Sequence, residues 1–432
     1  MRKKDKLFSG AFTLAVGGFI TKIIGAIYRI PLTNVLGSEG IGIYQMVFPV
    51  YCLLLTVSST GVPNGIAKLI AEGNNPEVTL KSALKLFVPI GIIGSLIMMV
   101  FSKKIAVLQG NILATSSYIY IAPSVLAVSV ISCFRGYYQG FSNMTPTAVS
   151  QVLEQAVKLV FGLSLSYIFR SNTALASSMA ALSVTLSEVV AVFYLSFLKR
   201  RNGGFSFLKS NQKNVSRIIK NVVPITFSTI IMPLVRTVES FIIFNILNGY
   251  LTNATSLYGL YSGAVESLVG VPVSILYSIA VTSVPLISSE KENKYKKTKK
   301  PLILTLIGSI VFATFFYFLS KPAVIILYRR LSASDLTIAI KMAKLASLSV
   351  LTLPLMQTFN ACLIACGHIL VPSITSLTAS VIKIILSVFL LKVKSINIFA
   401  VIITDIICYL VACLLNLVYI IIRNNKNKVV KE

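Results

Sequence analysis

The sequence has 432 residues, of which 55% are hydrophobic and 12% are charged. Soluble domains are about 25% charged, so this composition excludes an ordinary soluble fold and favours a protein that has lipid as its solvent. The formal net charge of +27 then requires either a strong asymmetry between the two membrane faces or an anionic partner.

Apolar runs of about 18 or more residues recur along the chain, and each is long enough to cross the hydrocarbon core as a helix. The runs do not alternate in polarity as the strands of a membrane β-barrel do. We therefore predict an all-α polytopic membrane protein with about 12 transmembrane helices. The spans are predicted near residues 8–32, 41–68, 83–101, 113–138, 145–169, 175–198, 220–247, 255–287, 302–320, 341–366, 370–391 and 396–422.

Lysine and arginine are divided unevenly between the loops on the two sides of the membrane. With the N-terminus inside, one set of loops holds 24 basic residues and the opposite set holds eight. This bias predicts that both termini are cytoplasmic. Since topology explains most of the net charge, the basic run KENKYKKTKK (291–300) is interpreted as an orientation signal beside anionic membrane lipids, not as a nucleic-acid site.

The six cysteines and the single histidine do not stand in any metal-binding or catalytic pattern. The cysteines all lie in apolar runs, where they are interpreted as small buried hydrophobic residues. His368 alone cannot form a histidine ligand cluster or triad, and no P-loop, GxSxG or HExxH motif occurs. We predict no cofactor, no metal site and no enzyme activity.

The two halves of the chain resemble each other weakly. GFSNMTPTAVSQVLEQAVKLV (140–160) corresponds to GHILVPSITSLTASVIKIIL (367–386), with Gly ending one helix and Pro starting the next. Six spans in each half give both halves the same orientation and a pseudo-two-fold axis along the membrane normal. We predict two six-helix bundles with a cavity between them: an N-terminal lobe (1–198), a cytoplasmic linker (199–219) and a C-terminal lobe (220–432).

Glycine and proline interrupt several predicted spans. The sequences are VGGF (16–19), VFPVY (47–51), GVPNG (61–65) and VGVPV (269–273). Such breaks are tolerated at membrane depth only where protein or a water-filled cavity satisfies the freed backbone groups, and transporters place them at binding sites. Together with the two lobes, they indicate a carrier that works by alternating access.

The predicted spans also contain ionisable side chains, which are costly in hydrocarbon and therefore mark candidate functional sites. The candidate substrate-binding cations are Lys22, Arg29, Arg135, Lys158, Arg236 and Lys383. The candidate coupling acids are Glu154, Glu188, Glu239, Glu266 and Asp405. Most of the cations lie in the first half, and a cavity lined by Lys and Arg suits a phosphate-bearing substrate, because both bind phosphate through charge-assisted hydrogen bonds.

Spacing indicates how some of these charges are compensated. Glu154 and Lys158 are four residues apart, and Arg236 and Glu239 three apart. Each pair can therefore form an ion pair on one helix face. Such a pair either serves the binding site or only fixes the rotation of its helix.

Lys22 and Arg29 share one face of the first helix, two turns apart. No acidic residue occurs between Leu7 and Gly37 to neutralise them. The two side chains either snorkel towards the membrane surfaces or line the cavity and bind an anion.

Two stretches of the sequence have a specific pattern: TKIIGAIYRIPLTNVLGSEGIGIYQMVFPVYCLLLTVSSTGVPNGIAKLIAEG (21–73) and CFRGYYQGFSNMTPTAVSQVLEQAVKLVFG (133–162). Both resemble the stage V sporulation protein B branch of the polysaccharide and lipid-linked oligosaccharide exporters, which includes the lipid II flippases. The resemblance implies a MATE-like fold, a multi-pass location in the cytoplasmic membrane and transport of an undecaprenyl-pyrophosphate-linked sugar across it. It places Arg29 in the basic segment of the first helix that lines the central cavity. It places Arg135 in the RGYxQG turn at the cytoplasmic end of the fourth helix. We interpret this stretch as an inward gate, in which Arg135 ends the helix and Glu154 with Lys158 forms an ion pair behind it.

Three functions remain open from the sequence. The first is a flippase for a lipid-linked oligosaccharide, with membrane lipids and cell-wall synthesis enzymes as partners. The alternative is a Na⁺- or H⁺-coupled multidrug exporter on the same fold, in which the acids bind the coupling ion. The third is a scaffold that does not transport.

Overall fold

The computed structural model describes residues 3–201, 212–290 and 294–429, and these residues are helical apart from short connections. The helices are α1 (Lys3–Met46), α2 (Phe48–Leu55), α3 (Val62–Ala71), α4 (Pro76–Val100), α5 (Ser102–Leu108), α6 (Thr115–Gly140), α7 (Thr145–Ile168), α8 (Thr173–Arg201), α9 (Gln212–Asn248), α10 (Ala254–Gly259), α11 (Glu266–Ser288), α12 (Lys294–Lys297), α13 (Lys299–Leu327), α14 (Ala333–Ala365), α15 (Leu370–Leu391) and α16 (Phe399–Val429). Among the described residues, 11 stretches are long and apolar enough to cross a membrane. The first of them, Val16–Ala71, contains two predicted spans. The predicted all-α membrane fold is confirmed.

The first long stretch is divided by a kink and by a short irregular segment. Gly37 has φ 70° and ψ −178° inside α1, a conformation that glycine adopts at little cost, and it separates the first two predicted spans. The predicted breaks at 47–51 and 61–65 coincide with the start of α2 and the start of α3. Between these helices, Thr56–Thr60 form a π-helical segment.

In the second half of the chain, the irregular segment lies earlier than the sequence indicated. VGVPV (269–273) continues as α-helix inside α11, with Pro272 accommodated in the helix. The π-helical segment is Leu260–Val265, which directly precedes α11. VGGF (16–19) is likewise helical within α1.

Hydroxyl side chains bond to backbone carbonyls in and beside these π-helical segments. Thr56 donates to the Cys52 carbonyl at 2.8 Å, and Ser59 donates to the Leu55 carbonyl at 2.6 Å. Ser262 donates to the Tyr258 carbonyl at 3.0 Å. Serine and threonine therefore satisfy backbone groups that water cannot reach inside a membrane.

The helices group into two compact units, Met1–Phe241 and Ile242–Glu432, and the boundary falls inside α9. The sequence placed the boundary at the linker 199–219. The observed boundary is later because the first turns of α9 pack on the first unit, where Ile218 and Val222 are buried in the same core as residues of α3 and α6.

In the first unit, α6 packs against α3, α4 and α8, and α7 packs against α1 and α8. The contact between α6 and α3 is close because it is made at glycine. A Cβ at Gly136 would lie 2.9 Å from both the Cα and the carbonyl oxygen of Pro63. Small residues of this kind let helices approach each other in membranes, so the glycines of RGYYQG (135–140) bring α6 onto α3.

In the second unit, α14 packs against α11, α13 and α16. Buried polar side chains bridge these helices. Asn416 of α16 donates to Asn360 of α14 at 2.8 Å and accepts from Thr375 of α15 at 2.7 Å. Hydrogen bonds between helices stabilise bundles in lipid, where apolar contact with neighbouring helices is worth no more than contact with lipid tails.

His368 lies in the loop between α14 and α15, between two tyrosines. Tyr295 Oη is 2.5 Å from its Nε2, and Tyr419 Oη is 3.2 Å from its Nδ1. Arg423 donates to Tyr419 Oη at 3.2 Å. The hydroxyl of Tyr419 can then donate its own proton to Nδ1 of His368, which requires that Nδ1 carries no proton and that the ring is neutral. Burial and the positive charge of Arg423 lower the pKa of His368 below its usual value.

The glycine contact gives a first prediction. Gly136→Ala should destabilise the protein by about 1–3 kcal/mol, because the added methyl group forces α6 away from the backbone of α3. The measurement is thermal unfolding of the purified protein in detergent. The matched control is Gly270→Ala in α11, where a Cβ meets nothing within 4 Å. Equal melting temperatures for the two variants would contradict this account of the α3–α6 contact.

The histidine contact gives a second prediction, on pH. The folded state holds His368 neutral, so its contribution to stability is complete above the unfolded pKa of about 6.5 and is lost as the pH falls below that value. The melting temperature of the wild type should therefore fall between pH 7.5 and 5.5 by more than that of His368→Gln. Parallel pH dependence in both proteins would show that the histidine is not responsible.

Candidate functional site

The first unit contains a cluster of ionisable side chains contributed by four helices. Arg29 comes from α1, Arg135 from α6, Glu154 and Lys158 from α7, and Glu188 from α8. The structure therefore brings together five of the predicted site residues, three of them cations. Glu154 is buried, and the other four are half-buried.

Arg135 and Glu154 form an ion pair between α6 and α7. The same guanidinium donates twice to Ser150 Oγ, from Nε at 3.0 Å and from a terminal nitrogen at 2.9 Å. Ser150 lies one turn before Glu154 on α7, so both partners of Arg135 share one helix face. The guanidinium is thereby held by a carboxylate and a hydroxyl at once.

This pairing corrects two predictions about the stretch. Glu154 bonds to Arg135 and not to Lys158, which makes no salt bridge among the residues that the structure describes. Arg135 does not end its helix, because α6 continues to Gly140. The helix continues because Gly136 and Gly140 pack closely on α3, where added Cβ atoms would meet Ile66 and Ile70.

Glu188 lies within hydrogen-bonding range of the Glu154 carboxyl group. Two carboxylates this close repel each other unless one of them is protonated or a cation lies nearby. Arg135 and Lys158 both act electrostatically on Glu188. The acids of the cluster are therefore balanced by cations from two neighbouring helices.

Arg29 and Lys158 form the second part of the cluster. Lys158 Nζ lies 5.6 Å from the centre of the Tyr28 ring, a cation–π distance, and is close enough to Arg29 for mutual repulsion. Within the described ranges, neither cation has a carboxylate at salt-bridge distance. Two like charges held together in a membrane protein favour the binding of an anion.

Lys22 lies on α1, but its side chain is outside the described residues. Arg236 and Glu239 lie together on α9, in the first unit, where Arg236 is exposed and Glu239 is buried. Arg236 is near Cys52 of α2, on which it acts electrostatically together with Arg29.

The second unit contains a smaller cluster with the opposite balance. Lys383 of α15 forms a salt bridge of 2.7 Å with Asp405 of α16. Tyr261, in the π-helical segment, donates to the second carboxylate oxygen of Asp405 at 2.5 Å and lies 3.4 Å from Glu266. Lys383, predicted as a cavity cation, is therefore held by the carboxylate of Asp405, and Tyr261 links this pair to a second acid, Glu266.

Three side chains of these clusters were missed by the sequence reasoning: Tyr28, Ser150 and Tyr261. Each is a residue that is neutral at pH 7 and lies beside a charged one, so the charge pattern of the sequence does not single it out. A signal existed for Ser150, which stands one helical turn before Glu154, and for Tyr261, which belongs to GLYS (259–262), the counterpart of GIYQ (42–45).

The family described as "Polysaccharide biosynthesis protein" matches residues 7–291. Stage V sporulation protein B of Bacillus subtilis (strain 168) is 28% identical over 309 residues, which cover 67% of this chain and 60% of that protein. Lipid II flippase MurJ of the same organism is 25% identical over 350 residues, which cover 71% of this chain and 64% of that protein. The chain thus matches less than two thirds of the length of either relative.

Solved structures show the same fold. The inward closed conformation of lipid II flippase MurJ superposes with a TM-score of 0.78 at 16% identity, covering 94% of this chain and 87% of that one. An inward-facing multidrug resistance MATE family transporter gives a TM-score of 0.75 at 12% identity, covering 94% and 95%. At these identities the likeness concerns the fold alone, and it confirms the predicted MATE-like architecture.

The Arg135–Glu154 pair gives a third prediction. Arg135→Gln should destabilise the protein by about 3–5 kcal/mol, because it leaves the buried Glu154 carboxylate without its partner. Arg135→Gln combined with Glu154→Gln should recover much of this loss, since no unpaired charge remains. Thermal unfolding of the two variants beside the wild type measures the difference. A double variant as unstable as Arg135→Gln alone would show that the pair is not the source of the effect.

Proposed function

Because the chain belongs to the polysaccharide biosynthesis protein family, we propose that it is a flippase or exporter that moves an undecaprenyl-pyrophosphate-linked oligosaccharide across the cytoplasmic membrane. Both similar Bacillus subtilis proteins support this proposal by their names, a sporulation protein and a lipid II flippase. The precursor serves the cell wall, the spore cortex or another polysaccharide. Neither relative's name is that of an enzyme, in agreement with the sequence prediction.

The observation that carries the proposal is the Arg29–Lys158 pair. Both cations are half-buried, repel each other and make no salt bridge among the described residues, whereas Arg135 and Lys383 are each held by a carboxylate. Because the cluster holds three cations and two acids, a pyrophosphate would supply the negative charge that it lacks. The planar guanidinium of Arg29 can bind phosphate oxygens in a bidentate manner, and the ammonium of Lys158 acts as a point charge.

The remaining cations are proposed to assist this site in different ways. Arg135 orients Glu154 beside Lys158, so it shapes the site without being free to bind the substrate. Lys22, two turns before Arg29 on α1, extends the cationic face of that helix and receives the head group at another stage of transport. The two predicted lobes are proposed to move by alternating access as the compact units Met1–Phe241 and Ile242–Glu432, with both termini in the cytoplasm.

The alternative function is a cation-coupled multidrug exporter. Its support is the likeness of the fold to a MATE family transporter and the presence of five intramembrane acids. Two of these acids, Glu154 and Asp405, are already engaged by basic side chains, which reduces the negative charge available to a cationic drug. We therefore favour the lipid-linked substrate.

A transport assay tests the proposal and gives the fourth prediction. The purified protein in liposomes should translocate lipid II, used as the probe, and should not translocate a cationic dye. Arg29→Ala and Lys158→Ala should each lower lipid II transport by roughly tenfold or more, the effect of losing a hydrogen bond to a charged group. Arg29→Lys should retain part of the activity, because the charge remains but the bidentate geometry is lost.

The matched control is Lys103→Ala, which removes an exposed cation from α5 and should leave transport unchanged. Full lipid II transport by the Arg29→Ala and Lys158→Ala variants at normal abundance would refute the cationic site. Translocation of the dye without lipid II would favour the multidrug exporter.

A further inference from the structure

A cleft of about 490 Å³ opens on the first unit between the end of α3 and the beginning of α9. Its walls include Lys68, Asn74, Arg217, Lys220 and Asn221. None of the residues of the Arg29–Lys158 cluster lines it, so it is a separate site. Its size falls in the range of small-ligand pockets.

The cleft is strongly positive. Lys68, Arg217 and Lys220 contribute three cations, and Glu72 is the one acid among the residues lining the cleft. Glu72 lies 3.9 Å from Lys68, with both side chains more than half exposed, so that pair is weak. Lys220 has no hydrogen bond or ion pair within the described residues. The site therefore keeps an excess of positive charge.

Two of the cations are oriented by amide oxygens and not by carboxylates. Lys68 Nζ donates to Asn221 Oδ1 at 3.2 Å, and Arg217 donates to Asn74 Oδ1 at 2.8 Å. An amide oxygen fixes the direction of a cationic side chain without neutralising its charge. This arrangement orients two positive groups and leaves their charge available to an anionic ligand.

An exposed apolar stripe also lies on α9, and Lys220 of the cleft stands one helical turn before its second residue, Val223. Ile219, Val223 and Phe227 are spaced by four residues, so they form one stripe on the helix, and they are 41%, 55% and 74% exposed. A stripe of this kind is suited to acyl chains, whereas the basic side chains beside its start are suited to a phosphate. A ligand that has both parts is a phospholipid.

We propose that this cleft binds the phosphate head group of an anionic membrane lipid, whose acyl chains lie along the exposed stripe of α9. The site anchors the first turns of α9, the helix in which the chain passes from the first compact unit to the second. The lipid composition of the membrane thereby determines whether this end of α9 is anchored. The proposal does not depend on the identity of the transported substrate.

The test compares lipid binding by the purified full-length protein in native mass spectrometry, with phosphatidylglycerol and phosphatidylcholine as probes. We expect the wild type to retain phosphatidylglycerol in preference to the zwitterionic lipid. Arg217→Ala combined with Lys220→Ala should weaken phosphatidylglycerol binding roughly thirtyfold, the effect of removing two basic side chains near an anionic head group. The control, Lys103→Ala combined with Lys104→Ala, removes two exposed cations elsewhere and should have no effect.

A second variant separates a built site from diffuse attraction to the basic surface. Asn221→Ala keeps every charge but removes the amide that orients Lys68, and it should also weaken phosphatidylglycerol binding. Unchanged binding in Asn221→Ala, or an equal loss in the Lys103 and Lys104 control, would overturn the proposal. Competition by inorganic phosphate as effective as that by the lipid would overturn the lipid as the source of the phosphate.

Discussion

The ion pair between Arg135 and Glu154 joins α6 to α7 at a place where both side chains are largely buried. Both groups are costly to bury, and the pair is sustained because Ser150 satisfies the guanidinium on a second side. Since Arg135 takes up Glu154, Lys158 remains beside the ring of Tyr28 and close to Arg29. The positive excess of the first unit, and with it the proposed affinity for pyrophosphate, depends on this one pairing.

The second unit also compensates its buried charges, but it is left without an excess of positive charge. Lys383 is enclosed by Asp405, and Tyr261 contacts both Asp405 and Glu266. Asp405 neutralises Lys383, and Glu266 adds a second acid beside Tyr261, so this cluster has no excess of positive charge for an anionic ligand. The two units thus differ in electrostatic character although the sequence halves resemble each other, because the first has an arginine on α6 where NACLIACG (360–367) in the second has no basic residue.

The elements of the fold could be predicted because the signals are local. Apolar length set the spans, and glycine and proline marked the irregular segment before α3. The partners of the charges could not be predicted in the same way. Arg135 and Glu154 are separated by 19 positions, and their contact depends on how α6 and α7 are rotated about their axes. The close contact at Gly136 sets the position of α6 on α3. The spacing of residues within α7 therefore cannot show that Arg135 of α6 is the partner of Glu154.

The π-helical segments, Thr56–Thr60 and Leu260–Val265, have a consequence for how such helices change shape. A π-helical turn holds one more residue than an α-helical turn. If the extra residue passes along the helix, each residue it crosses turns by about 100°, the angle per residue in an α-helix, while both ends of the helix stay where they are. Tyr261 lies inside one such segment, so a shift of the extra residue past it would turn its hydroxyl away from Asp405 without unwinding α11.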